Sequence, residues 1–123
     1  MTEGQNSKRY DFENRTLVFA QRCRALIKRL PKTIGNIEDG KQLIRSSGSV
    51  HANYIEANES LSKKDFYHRV KICRKEVKES RSWLFLLEIG DTTVIEKERD
   101  ELVGEANELM KIFGSIIEKG KYF

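Results

Sequence analysis

The chain has little that bends or cross-links a backbone: its 123 residues include one proline, two cysteines and one tryptophan. A single proline leaves long stretches open to helix, because proline is the residue that removes a backbone donor and clashes with the preceding turn. Cys23 and Cys73 lack C-x-x-C or C-x-x-H spacing, so zinc has no support, and both thiols are expected to be reduced and packed as small hydrophobes. The longest apolar run, Trp83 to Leu87, is five residues, against roughly 20 for a membrane-spanning helix. No membrane partner is expected. The first ten residues are polar and carry no secretory stretch, which makes the cytoplasm the expected compartment. Phosphate-binding loops, dinucleotide glycine patterns and nucleophile elbows are missing. A di-metal carboxylate bundle needs Glu-x-x-His on two helices, and here only Asp65-x-x-His68 occurs, so neither metal nor cofactor is expected.

Charge, by contrast, is abundant and unevenly distributed. Lys and Arg number 23 against 19 Asp and Glu, a net charge of +4. Residues 1–35 and 62–81 each hold eight basic and three acidic groups, whereas 36–61 hold two and four and 82–123 hold five and nine. Two basic blocks alternate with two acidic ones, an asymmetry that can steer partners or self-assembly.

Four segments carry the helical period. Phe12, Thr16, Phe19, Ala20, Cys23, Leu26, Ile27 and Leu30 recur at steps of three and four before Pro31 stops the run. The second segment is expected to start at Asn36 with Asp39 as its capping partner. Its inner face reads Ile37, Gly40, Leu43, Ile44, Ser47, Val50, Tyr54 and Ile55. Glycine in a helix costs about 1 kcal/mol relative to alanine, so this small-sided face predicts close approach by a neighbour. The third segment opens at Ser62, and Phe66, Val70, Cys73, Val77, Ser80, Leu84 and Leu87 form a heptad seam. The fourth follows a Thr93-x-x-Glu96 capping pattern, with Ile95, Leu102, Ala106, Leu109 and Phe113 among its inward positions. Connections at 31–35, 58–61 and 89–92 are too short for anything but antiparallel neighbours. The expected fold is all-α, an antiparallel up-down-up-down four-helix bundle over residues 11–119, with a flexible tail at 1–10 and a short tail at 120–123.

The run from Gln42 to Ala57 reads QLIRSSGSVHANYIEA. It resembles the Q-L-R-R-A-A-x-S-I-x-A-N-I-A-E-G pattern of the bacterial four-helix-bundle family that includes proteins encoded within intervening sequences of large-subunit ribosomal RNA genes. Gln42, Leu43, Arg45, Ser49, Ala52, Asn53 and Glu56 match directly, while His51 and Ala57 stand where the family often has proline or glycine, and glycine. Further matches are Phe12-Glu13, Leu30-Pro31-Lys32, Ser62 to Phe66 and Lys75 to Ser80, so the likeness spans about residues 12–117. The family is similar in fold to accessory proteins of diversity-generating retroelements. That resemblance implies a ring-shaped homopentamer associated with nucleic acid.

On a helical projection, Arg45, Ser49, Ala52 and Glu56 share one row with Ser46 and Asn53 beside it, opposite the apolar face, which predicts an outward stripe available to another helix, a second subunit or a ligand. On the third helix, Lys64, Lys71, Arg74, Lys75, Lys78 and Arg81 fall in an arc of about 120 degrees, with Tyr67 and Phe85 in the same sector and Asp65, Glu76 and Glu79 on the adjoining flank. Cations interleaved with aromatics suit RNA or DNA; an acidic protein partner fits the same charge. Leu17 and Val18 on the first helix, and Ile72 and Trp83 on the third, miss the seams and favour self-association. Arg45 and His51 have the spacing of the R-x4–6-H motif of HEPN-type ribonucleases, but His51 projects toward the bundle, where a hydrogen-bonded structural histidine is commoner. The sequence therefore predicts a non-enzymatic, homo-oligomeric binding module. A scaffold for acidic proteins is the first alternative and a HEPN-like ribonuclease the second.

Overall fold

The computed structural model describes the backbone of residues 3–121 and the side chains of residues 11–121. Four helices run in chain order, α1 Glu3–Arg29, α2 Ile34–Asn58, α3 Lys63–Leu86 and α4 Thr93–Gly120. Each packs closely on its neighbours in the cycle α1, α2, α3, α4, and across one diagonal Tyr54 of α2 meets Phe113 of α4 at 5.9 Å between ring centroids. This is the all-α antiparallel bundle that the short connections require. The pairing is uneven: α2 and α3 pack most extensively, α1 and α4 least.

Helical backbone begins at Glu3, inside the segment expected to be a tail. Once a helix is nucleated, each added residue gains one backbone bond, and no proline interrupts residues 3–12. Residues 1, 2, 122 and 123, the remainder of both expected tails, lie outside the described residues.

The core forms where the seams meet. Phe19, Leu26, Leu43, Val50, Val77, Leu84, Leu102, Leu109 and Phe113 are almost completely buried. Each such side chain contributes about 1.5–3 kcal/mol relative to an exposed one. The small-sided face of α2 does what its composition predicts. A Cβ on Gly40 would stand 3.2 Å from Ile27 Cγ2, and one on Gly48 would stand 3.2 Å from Arg24 Nη2, so α1 lies directly over the bare backbone. Ile37 and Ile55, placed on the inner face by periodicity, sit at its edges and stay exposed.

The caps bear out one expectation and shift two. Ser62 caps α3, its hydroxyl accepting from the Asp65 N–H. The cap of α2 is Thr33, which accepts from the Asn36 N–H, so the helix starts before the expected Asn36. Asn36 is instead buried and ties two connections together. Its Nδ2 donates to the carbonyls of Pro31 and Glu88, each at 2.8 Å, and its Oδ1 accepts from the Glu88 N–H at 2.8 Å. The cap of α4 is Thr92, one residue before the expected threonine and without a side-chain capping bond.

Candidate nucleic-acid interface

The outer face of α3 follows from its heptad seam. With Val70, Cys73, Val77, Ser80 and Leu84 turned into the core, Lys64, Lys71, Arg74, Lys75 and Lys78 are left exposed on the opposite arc. None of these five forms an ion pair among the described residues. Arg81, grouped with them by periodicity, is half-buried and donates to Asn107 Oδ1 at 2.7 Å, so its guanidinium is already engaged. Lys71, Arg74, Lys75 and Lys78 line one side of an open groove of about 570 Å³, and Met110 and Ile117 of α4 contribute an apolar floor. A second depression of about 590 Å³ continues it past Lys71 to His68, Tyr67 and Lys64. Tyr67 lies in the basic sector as expected, whereas Phe85 stands 58% exposed near the far end of α3.

The acidic flank borders this face, since Glu79 also lines the groove, but its carboxylates are paired from α2. Arg45 on α2 reaches Glu79 Oε2 at 3.1 Å and Glu76 Oε2 at 3.4 Å, and the Glu76 side chain is only 8% exposed. Beside it Ser46 and Ser80 share a hydroxyl bond at 2.8 Å. Further along, Asn53 donates to the Ser49 carbonyl and hydroxyl and accepts from Arg69 Nη1. The expected outward stripe of α2 is thus corrected: Arg45, Ser46, Ser49 and Asn53 form a polar seam against α3, at whose edge Arg45 stays exposed, and Ala52 and Glu56 turn to solvent. Projection from one helix cannot show this, because the flank opposite the apolar face is open to whichever neighbour packs there.

His51 leaves α2 on the other side. Its Nδ1 lies 2.9 Å from Thr16 Oγ1 on α1, and that hydroxyl donates to the Glu13 carbonyl, which leaves Nδ1 as the donor to Thr16. Arg45 and His51 therefore face different neighbours, and the pair needed for a HEPN-type site does not converge. Burial pushes both Cys23 and Cys73 thiols up to about 12, which keeps them protonated and poor nucleophiles. Among the described residues no three metal-ligating side chains cluster, and no helix is long and apolar enough to cross a membrane.

The self-association candidates divide. Leu17 and Val18 are 38% and 39% exposed on α1. Ile72 is half-buried, and Trp83 packs against the core with its indole N–H enclosed and unpartnered, so a single chain already shelters both.

A feature that periodicity did not reveal lies across the bundle. Arg15, Arg22 and Arg29 of α1 bridge to Glu105, Glu101 and Glu98 of α4. The first bridge is a two-pronged fork at 2.8 and 2.9 Å, and these bonds to Glu105 hold the Arg15 pKa above its ordinary value. The heptad spacing of the three arginines, with Glu98 and Glu105 seven apart, was the available signal.

A comparison with curated proteins finds no match. Among solved structures, a protein of unknown function from the S23 ribosomal protein family of Bacteroides thetaiotaomicron superposes with a TM-score of 0.72 at 29% identity, over 85% of this chain and 96% of that one. The family described as 23S rRNA-intervening sequence protein matches residues 8–115. With nearly the whole bundle inside that match, and Arg45, Ser49 and Asn53 forming its α2–α3 seam, the chain belongs to the 23S rRNA-intervening sequence protein family.

Proposed function

We propose that this bundle is a non-enzymatic, homo-oligomeric module of the cytoplasm that binds RNA or DNA through α3. The observation that carries it is the row Lys64, Lys71, Arg74, Lys75 and Lys78, exposed and without ion-pair partners among the described residues along two depressions that adjoin at Lys71. An unpaired cation meets a phosphate without first breaking an ion pair, and each phosphate neutralised releases counterions condensed on the nucleic acid. Phosphate contacts carry no base information, so no sequence preference is expected from the row itself.

The test is a gel shift with a salt titration. On a single strand the logarithm of affinity should fall with the logarithm of salt at about −0.7 per contact, so engagement of the whole row gives a slope near −3.5. Lack of binding by the wild type even at about 50 mM salt would favour a scaffold for acidic protein partners on the same face. The non-enzymatic part is tested with labelled RNA. Wild type and His51→Ala should both leave it intact, whereas cleavage lost only in the variant would revive the ribonuclease alternative.

Self-association is supported by Leu17 and Val18, two adjacent apolar side chains left in solvent on α1. A homopentamer is the ring that the family resemblance implies, and it would multiply the basic faces and raise avidity without new contacts. Light scattering decides it: a monomer at working concentration removes the assembly, and a dimer removes the ring.

A further inference from the structure

The basic groove does not end at Lys64. Lys63 and Tyr67 line both the depression beside Lys64 and a third cavity of about 470 Å³ at the α2–α3 turn. One side of this open depression is aromatic, with Phe12, Phe66 and Tyr67 half-buried over the buried Tyr54, and residues 57–63 form the other side. Phe12 meets Tyr54 edge to face at 6.1 Å between ring centroids, and Phe66 meets Tyr67 edge to face at 5.2 Å. Leu61, wholly exposed, stands at its rim. The Tyr67 ring between the two cavities is set by close backbone contact: a Cβ on Gly120 would fall 2.7 Å from Tyr67 Cδ1. A row of cations over an apolar floor thus leads into an aromatic chamber through one shared tyrosine.

We infer that the ligand of this face is single-stranded nucleic acid, its phosphates on the lysines of α3 and one unstacked base seated against the half-buried rings of Phe12, Phe66 and Tyr67. The inference rests on the nucleic-acid proposal above and narrows it. A duplex stacks the faces of its bases inward and leaves only their edges in the grooves, so the aromatic chamber would gain no stacking from it. Reading a duplex through its major groove needs a protruding helix. Here α3 is flanked by α2 and α4, and its basic face is one wall of a concavity. A single strand, by contrast, presents a π-face with every base, and stacking on aromatic side chains accepts any of them.

Fluorescence anisotropy with oligonucleotides of roughly 10–16 nucleotides tests this, each sequence offered as single strand and as duplex, in RNA and in DNA. At equal salt the wild type should bind the single strand at least about tenfold more tightly than its duplex, the size of one or two stacked bases. The RNA and DNA arms identify which strand is preferred. Tyr67→Leu should weaken single-strand binding about tenfold while leaving the salt slope unchanged, because it removes a stacking face and no charge. Gly120→Ala should do the same by displacing the ring from the end of α4, where a local shift leaves the core intact. A 2-aminopurine placed at successive positions of the wild-type probe needs no variant and should be partly quenched at several of them, since a strand bound without sequence preference has no fixed register. Equal affinity for strand and duplex, or no quenching at any position, overturns the chamber while the nucleic-acid proposal stands. Absence of any binding overturns both.

Discussion

Residues 1–35 and residues 62–81 hold the same charge, eight basic and three acidic groups each, yet the bundle uses them in opposite ways. On α1 the arginines at 15, 22 and 29 turn toward α4, and its glutamates meet them one by one. On α3 the nearest carboxylates, Glu76 and Glu79, are held by Arg45 of α2, and Lys64, Lys71, Lys75 and Lys78 form no ion pair among the described residues. The net charge of a segment therefore says little about its availability to a ligand. What decides is which face of the acidic α4 it meets: Glu98, Glu101 and Glu105 face α1, while Met110 and Ile117 face the groove beside α3. The helix pair that is least extensively packed, α1 with α4, carries the bridges, and the helix gripped on both sides carries the free cations.

The comparison breaks most visibly in binding. Reversing Lys71, Lys75 and Lys78 to glutamate should cost at least about 100-fold in affinity for a single-stranded probe, since three attractive phosphate contacts become repulsive. Changing Arg15, Arg22 and Arg29 to glutamine removes as many positive charges but should alter affinity by only about threefold, through the long-range field alone. The reversal changes the net charge by six and the neutralisation by three, so a logarithmic loss only about twice as large in the first would mean that net charge governs binding and that the unpaired row has no special standing. Helicity by circular dichroism should be retained in both.

A smaller effect is expected at the seam where Arg45 pairs with the acidic flank of α3. Arg45→Ala leaves the Glu76 carboxylate enclosed and uncompensated. Because the Arg45 side chain is itself 54% exposed, the loss should be about 1–2 kcal/mol rather than that of a deeply buried pair. Thermal melting should register this as a fall of several degrees. Adding Glu76→Gln removes the stranded charge and should recover part of the loss. A double variant less stable than Arg45→Ala alone would show that Glu76 contributes through something other than its partner.

These contrasts also mark what a single chain makes legible. Periodicity found the four helices, the α3 seam, the Ser62 cap and the exposed lysines, because each depends on neighbours within one or two turns. It misplaced the start of α2, where Asn36 resembles a cap but bonds to Glu88, 52 residues away. It read Arg45, Ser49 and Asn53 as an outward stripe, since a helical wheel shows which residues share a flank and not which helix covers it. Arg81 was grouped with the free cations for the same reason, its partner Asn107 being on α4. Of the site, the cations were visible, while the Met110 and Ile117 floor and the aromatic chamber needed α1, α2 and α4 in place beside α3.

The bridges between α1 and α4 should contribute less again. Arg22 and Glu101 are 43% and 51% exposed, which limits Arg22→Gln to a few tenths of a kcal/mol, and the Arg15 fork to about 1 kcal/mol. Both should fade near 1 M salt, where the screening length shrinks to about 3 Å. A loss at Arg22 exceeding that of Arg45→Ala, or one indifferent to salt, would contradict the contrast between an exposed ladder and a half-enclosed seam.

The finest distinction is dynamic, and the chain carries a reporter on each side of it. Cys23 lies on α1 and Cys73 on α3, both buried, and burial pushes each thiol up from 9.0 to about 12. In the folded state neither is a useful nucleophile at neutral pH, so alkylation has to pass through openings in which the thiol regains its ordinary pKa of about 8.5. Labelling should therefore accelerate as pH approaches 8.5 and above, and stability should change with it. The folded state favours the neutral thiols, so their contribution is complete below about pH 9 and is lost as pH rises from there toward 12. Since α1 rests less extensively on α4 than α3 does on its two neighbours, α1 should open at lower cost, and Cys23 should label several-fold faster than Cys73 under native conditions. Mass spectrometry after brief iodoacetamide exposure separates the two sites. Identical rates would mean that the bundle opens only as a whole, and that its charge-paired side is held as firmly as its densely packed one.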